Sequence, residues 1–332
     1  MVEEDVGKIA VSEPRVMPDP GHPGTATTLA DAAYPGPVKL APGEWLARQS
    51  AHVRRVDEAA AGYLSRRSRG AKHPVDDFLW IYFRFRPGQL RRWHPGAGVT
   101  LTQAADSEHA GRRHYQVAGG DVRLDVPGFL AERGSGVRYV RDLLAATASR
   151  PPRFGCFGLH EWAMVYRSPE VRHPWPLRLG AAGTDAVVES RPLRCTHYDA
   201  FRFFTPQASG RNELTPTLEL RPTLEQPGCL HAGMDLYKWA YTLTPAIASE
   251  LVMDCFEHAR RAREVDMRAS PYDLRDLGYE PIPIETAAGR AEYVAAQQDL
   301  AGEAAALRSR LLRACDDLLA GHPQPALAAA PN

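Results

Sequence analysis

The sequence predicts a mainly α, multi-helical single domain with one or two small β elements. Three observations predict it. Apolar residues recur at three- and four-residue spacing through most of the chain, and N-cap and stop signals bound those stretches. Alternation of the β kind is confined to one Gly-Gly hairpin and a few short runs. At 332 residues the chain is long enough for two average domains. Between residues 43 and 321, however, there is no long flexible linker and no internal repeat, which favours one helical catalytic domain.

Residues 1–42, rich in Pro, Gly, Ala and acidic side chains, read as a disordered or loosely attached leader. Gly43 to Arg69 reads as a helix with Trp45, Val53, Val56, Ala60 and Tyr63 on its apolar face, stopped by Gly70. A second helix follows Pro74. Asp76 and Asp77 complement its dipole, and its continuous apolar run Phe78 to Phe83 belongs in the core. His114 to Val126 alternates around Gly119-Gly120, a hairpin. Tyr139 to Ala148 is a short helix ended by Pro151, and an apolar helical stretch containing His160 and Glu161 follows the glycines at 155 and 158. Val187-Val188 and Leu193 to Thr196 read as short strands. A helix spans the stretch from the Pro227-Gly228 turn to Thr244. Another starts at Thr244-Pro245 and runs to about Val265, and a short one lies between Ser270 and Gly278. The last, Thr286 to Ala320, clamps the outside of the domain, and 322–332 is a disordered tail.

Forty basic and forty acidic residues cancel, which argues against a protein that grips nucleic acid through a global basic field. No run of eighteen apolar residues exists, so no membrane span is expected. Five scattered cysteines without a Cys-x-x-Cys pair, and no signal pattern, point to a reduced cytoplasm rather than a zinc knuckle.

Eight of the twelve histidines fall between His73 and Trp239, and four of them stand near a carboxylate: His73 with Asp77, His160 with Glu161, His197 with Asp199, His231 with Asp235. On a helix, His231, Asp235 and Lys238 share one face at i, i+4 and i+7. Helices that each offer a His and a carboxylate are the way carboxylate-bridged metal sites are built in helical proteins. Oxygen and imidazole ligation without thiolate favours iron or manganese, with zinc an alternative. His231, Asp235, His73, Asp77, His160 and Glu161 are therefore the candidate ligands of a divalent metal, and Asp235, Lys238 and Glu161 the candidate acid–base groups. Arg86 and Arg92 could hold a substrate carboxylate or phosphate bidentately, with Trp93 and Tyr82 as the aromatic members of that site.

The His231–Asp235–Lys238 spacing resembles the His-x-x-x-Asp-x-x-His pattern on a late helix of haem-oxygenase-like dimetal oxidases, with Lys in the last place. More extensively, Cys156–Tyr166, Thr196–Pro206, Glu225–Lys238 and Asp266–Asp273 resemble an actinobacterial family commonly labelled 3-methyladenine DNA glycosylase, over about residues 43–310. That resemblance implies hydrolysis of the N-glycosidic bond of an alkylated purine, with no metal required and with nucleic acid as partner. Trp93-His-Pro-Gly-Ala-Gly-Val99 is similar to the phosphate-holding hairpin of helix-hairpin-helix glycosylases. The expectation carried forward is a cytoplasmic enzyme with a metal, iron by preference, acting on a small anionic substrate. Base excision is the alternative, and a non-enzymatic ligand-binding protein the second.

Overall fold

The computed structural model describes residues 38–169 and 173–320, which cluster as one compact unit. The expected tail and residues 1–37 of the expected leader lie outside the described residues. Residues 38–42 do not belong to a loose leader. Strand β1 (Val38–Leu40) pairs in parallel with β2 (Val99–Leu101), and Leu40 is buried beneath the sheet.

The first helix, α1 (Pro42–Ser68), buries Trp45, His52, Val56 and Ala60, a stripe at seven- and four-residue intervals. Glu44 fixes its start by accepting a hydrogen bond from the Ala41 backbone N–H (2.9 Å). Helices α2 (Phe78–Tyr82) and α3 (Pro87–Leu90) are single turns. The apolar run is only partly core: Leu79 and Trp80 are buried, whereas Ile81 is exposed. The hairpin forms as expected from β3 (Tyr115–Ala118) and β4 (Asp121–Leu124), and the four strands lie in the order β1-β2-β4-β3. One small sheet thus replaces scattered β elements.

Helix α4 (Val126–Ala148) begins thirteen residues before the predicted Tyr139, because Asp125 caps it through the Gly128 N–H (3.1 Å) and Pro127 suits its first turn. Then come α5 (Leu159–Ala163), α6 (Gly180–Glu189), α7 (Tyr198–Phe201), α8 (Pro206–Ser209) and α9 (Arg221–Leu224). Val187 and Val188, expected in a strand, instead lie in the last turn of α6, where both side chains are buried. β-branched residues in so short a run are poor evidence for a strand once packing decides.

Helix α10 (Leu230–Thr242) is the centre of the molecule. It contacts α11 (Ser249–Arg268) and α12 (Ala287–Ala320), and nine of its thirteen residues are buried. A Cβ at Gly233 would lie 2.9 Å from His258 Nε2, so this glycine lets α10 and α11 approach. The helix predicted from Thr244 starts five residues later, at Ser249. A 3-10 turn (Arg275–Leu277), ended by left-handed Gly278, stands where a short helix was expected. Helix α12 does clamp the core, burying Tyr293, Gln297, Leu300, Ala304, Leu307 and Leu311 on one face against α4, α10 and α11.

A second apolar cluster lies under the sheet around fully buried Trp93, with Leu40, Trp45, Leu101 and Val122. Three histidines border it. His52 Nε2 meets the Leu90 carbonyl (2.8 Å), His109 Nε2 the Trp93 carbonyl (3.1 Å), and His94 Nδ1 the Tyr115 hydroxyl (2.9 Å). Burial lowers the pKa of all three. That of His94 falls to about 3, with the Arg112 charge adding to the effect.

Two predictions follow from these contacts. A histidine whose folded pKa lies below its unfolded value contributes stability that is complete above pH 6.5 and is lost as pH falls toward the folded value. The urea midpoint should therefore drop below pH 6.5, and more shallowly in His94→Gln. Separately, a Cβ at Gly289 would lie 2.1 Å from the Pro283 carbonyl oxygen, a backbone atom. Gly289→Ala should cost about 1–3 kcal/mol in equilibrium unfolding.

Candidate metal centre and adjoining cavity

Residues from four elements converge beside the first turns of α10. His197, the N-cap residue of α7, presents Nε2 3.3 Å from Glu225 Oε1 and 3.4 Å from Asp235 Oδ2 of α10. All three residues are at least 97% buried. Neither ring nitrogen of His197 has a hydrogen-bond partner among the described residues, and nor do Glu225 Oε1 or Asp235 Oδ2. Ligands bonded to one metal at 2.0–2.2 Å stand about 3–3.6 Å from one another, by octahedral or tetrahedral geometry. The observed separations fall in that range, and they are longer than a charge-assisted hydrogen bond. With all three atoms within 4.8 Å of one another, this group could hold a metal.

The same two carboxylate oxygens also face cations. Arg221 Nε lies 3.0 Å from Glu225, and the same guanidinium pairs closely with Asp199. Lys238 Nζ lies 3.4 Å from Asp199 and 3.7 Å from Asp235. Burial alone would raise the pKa of Asp235, but His197, Lys238 and Arg221 together hold it down to about 2. Burial and the neighbouring Asp235 push Glu225 upward, against the pull of His197 and Arg221. His197 is raised: burial disfavours its charge, and the surrounding carboxylates outweigh it.

A second group abuts the first. His160, His231 and Asp266 offer ligand atoms all within 4.8 Å, as do His197, Glu225 and Asp235, so either buried group could hold a metal. The His231 ring stands between, 4.6 Å from that of His160 and 5.4 Å from that of His197. The second group, however, is satisfied internally. His160 Nε2 meets Asp266 Oδ1 at 2.7 Å, and His160 Nδ1 meets Cys156 Sγ at 3.4 Å. Arg263 Nη1 donates to Asp266 Oδ2 (3.1 Å) and to Glu161 Oε1 (2.8 Å), and its guanidinium lies on the Phe78 ring. Burial and the charge of His160 push the pKa of His231 well down, so it is neutral.

Facing His231 and His160 is a cavity of about 270 Å³, with Cys156, Cys229, Gln297 and Tyr293 on its walls and Arg153 and Arg194 at its edge. Gln226, next to Glu225, ties this wall together. Its side-chain oxygen accepts from the backbone N–H of Arg153 (2.8 Å) and of Gly228 (2.8 Å). Arg194 is paired with Glu213, whereas Arg153 has no carboxylate partner among the described residues.

The sequence-predicted residues divide sharply. His231, Asp235, His160 and Glu161 all reach this centre. His231 and Asp235, though aligned on α10, join different groups, and Glu161 turns to Arg263 rather than to a shared ligand point. Lys238 pairs with carboxylates as expected. His73 and Asp77 do not take part: Asp77 is held by Arg66 (2.6 Å) and accepts the His73 backbone N–H, while His73 Nδ1 accepts the Asp76 N–H (3.0 Å). That pair closes a turn before α2. Tyr82 borders a small pocket with Asp199 and His231, and burial pushes its phenol up to about 12. Arg86 and Arg92 are exposed and line neither this pocket nor the cavity. Trp93 is core, its indole N–H given to Glu250 (2.9 Å). The Trp93–Val99 segment leads into strand β2 rather than a second helix. Gly96 packs against Ala248, where a Cβ would lie 2.9 Å from the backbone nitrogen, so no phosphate-binding hairpin is displayed.

Sequence reasoning assigned no role to Asp266, Arg263, Glu225 or Cys156. Arg263 and Asp266 stand three apart on one face of α11, a signal that charged helices carry too often to single out. No family model matches the chain, and neither a curated protein nor a solved structure matches it.

Among the described residues Arg263 is the only ion-pair partner of Glu161, and it shares Asp266 with His160. Arg263→Met should therefore cost about 3–5 kcal/mol in urea unfolding, because it leaves buried carboxylate charge uncompensated.

Proposed function

We propose that the protein is a metal-dependent enzyme that holds one divalent ion on His197, Glu225 and Asp235 and acts on a small anionic substrate in the adjoining cavity. One observation carries this reading: three buried ligand atoms lie within 4.8 Å of one another, the imidazole nitrogen 3.3 and 3.4 Å from the two carboxylate oxygens, and none makes a hydrogen bond among the described residues. A donor set of one imidazole and two carboxylates, without thiolate, suits iron or manganese, and iron is the ion proposed. Such an ion would supply Lewis-acid or redox chemistry next to the cavity.

The chain's own residues then have defined work. Lys238 and Arg221 orient the two carboxylates through the oxygens that face His197. Arg153, pinned to the Glu225 segment through Gln226, offers the cavity an uncommitted cation for an anionic substrate. Neutral His231, on the wall between ion and cavity, is able to hydrogen-bond a bound molecule without taking on charge.

Elemental analysis of protein purified without a metal-affinity tag is the test. About one transition-metal ion per chain is expected, and Glu225→Gln with Asp235→Asn should lose it, since each removes an anionic ligand. A chain that carries no metal and gains none on anaerobic iron loading sinks the reading. Base excision on alkylated DNA in the presence of EDTA would favour the metal-free alternative instead.

A further inference from the structure

The cavity holds a second constellation that the metal reading does not use. Cys156, half-buried on the cavity wall, places Sγ 3.4 Å from His160 Nδ1. The other ring nitrogen, Nε2, is 2.7 Å from Asp266 Oδ1, and Arg263 fixes the second oxygen of Asp266. Thiol, imidazole and carboxylate thus lie in series, each on a different atom of the next. A nucleophile in reach of a base that a third group orients is the geometry that activates a cysteine. The sequence hides it, since Cys156 and His160 are four apart but Asp266 lies more than a hundred residues on.

The surroundings point to a ligand as well as to a nucleophile. Gln297, a residue of the cavity wall, is 98% buried, gives its side-chain N–H to the Gly228 carbonyl (2.6 Å), and has no hydrogen-bond partner for its Oε1 among the described residues. An unpaired buried acceptor is costly unless a bound molecule donates to it. Arg153 adds a positive charge at the edge. The remaining thiols near the cavity are inert by comparison, because burial pushes Cys229 up to about 12 and Cys195 well above its usual value.

We propose that Cys156, His160 and Asp266 form a nucleophilic relay that cleaves small acyl esters or thioesters bearing an anionic tail for Arg153. Sγ attacks the carbonyl carbon and the S–C bond forms. His160 takes the thiol proton and passes it to the departing alkoxide or thiolate as the bond from the carbonyl carbon to that leaving group breaks. Water then attacks the acyl-cysteine, the C–S bond breaks, the carboxylic acid is released, and the proton lost by water returns to sulfur through His160. No electrons are exchanged. Asp266 is a positioning residue, which holds His160 in the orientation and tautomer that face Sγ.

The test uses the full chain in EDTA, so that its outcome is independent of any metal. The probes are 4-nitrophenyl acetate and mono-4-nitrophenyl succinate. Expected are release of nitrophenol with a burst of about one equivalent per chain, an acyl adduct on Cys156 by mass spectrometry, and loss of both in Cys156→Ala, as covalent catalysis requires. Arg153→Ala should raise KM for the succinate ester about tenfold, since it removes one ion pair of about 1.4 kcal/mol. Asp266→Asn should move the pH profile of Cys156 alkylation by iodoacetamide upward, a shift that a purely structural role would not produce. Alkylation of Cys156 no faster than that of free cysteine, or ester cleavage unchanged in Cys156→Ala, overturns the proposal. Cys156→Ala removes only a half-buried thiol, so the decision stands even where the Asp266 variant does not fold.

Discussion

Buried carboxylates on α10 and α11 must be met by positive charge or by an ion, and the arrangement of the centre follows from that requirement. Asp235 and Asp266 sit on the helices that make the core and cannot reach solvent without unpacking it. An uncompensated charge there would cost several kcal/mol. Each is therefore surrounded: Asp266 by Arg263 and His160, Asp235 by His197, Lys238 and, behind them, Arg221. These partners come from α5, α7, α9, α10 and α11, so the short helices on this side of the core are held in place by the charges they neutralise.

The two groups meet the same requirement differently, and that difference assigns their roles. Around Asp266 the contacts are short, directional hydrogen bonds that leave no ligand point open on His160. Around His197 the two separations given are longer, and four buried polar atoms have no hydrogen bond among the described residues. His231 stands between the two rings and opens on the cavity. Two buried His–carboxylate groups that could each hold a metal thus share one wall, with a neutral imidazole between them. Electrostatically this is economical, because a third buried cation at His231 would repel both neighbours.

Gln226 shows how the fold carries the site. It is uncharged and lies in a loop, yet its amide joins the Arg153 backbone to the segment that holds Glu225. The Gly228 carbonyl in the same turn takes the Gln297 side chain from α12. A Cβ at Gly228 would lie 2.7 Å from the Arg153 carbonyl, so only glycine allows the two segments this close. The long helix at the end of the chain, an external clamp by composition, thereby becomes part of the cavity.

The sequence by itself determined the helical class, the Gly119-Gly120 hairpin, the extent of α1 and α12, and the choice of α10 as the helix carrying the polar face. Each of these rests on local signals such as periodicity, caps and turn residues, which act over a few neighbours. It also brought His160, His231, Asp235 and Lys238 forward through their concentration. Tertiary structure alone decided which of these meet, because charge partners are chosen by packing across long separations. Asp77 is claimed by Arg66 on α1, Trp93 by the cluster under the sheet, and Glu161 by Arg263. Spacing within one helix joined His231 to Asp235, but the cost of buried charge sent Asp235 to His197 and left His231 against His160.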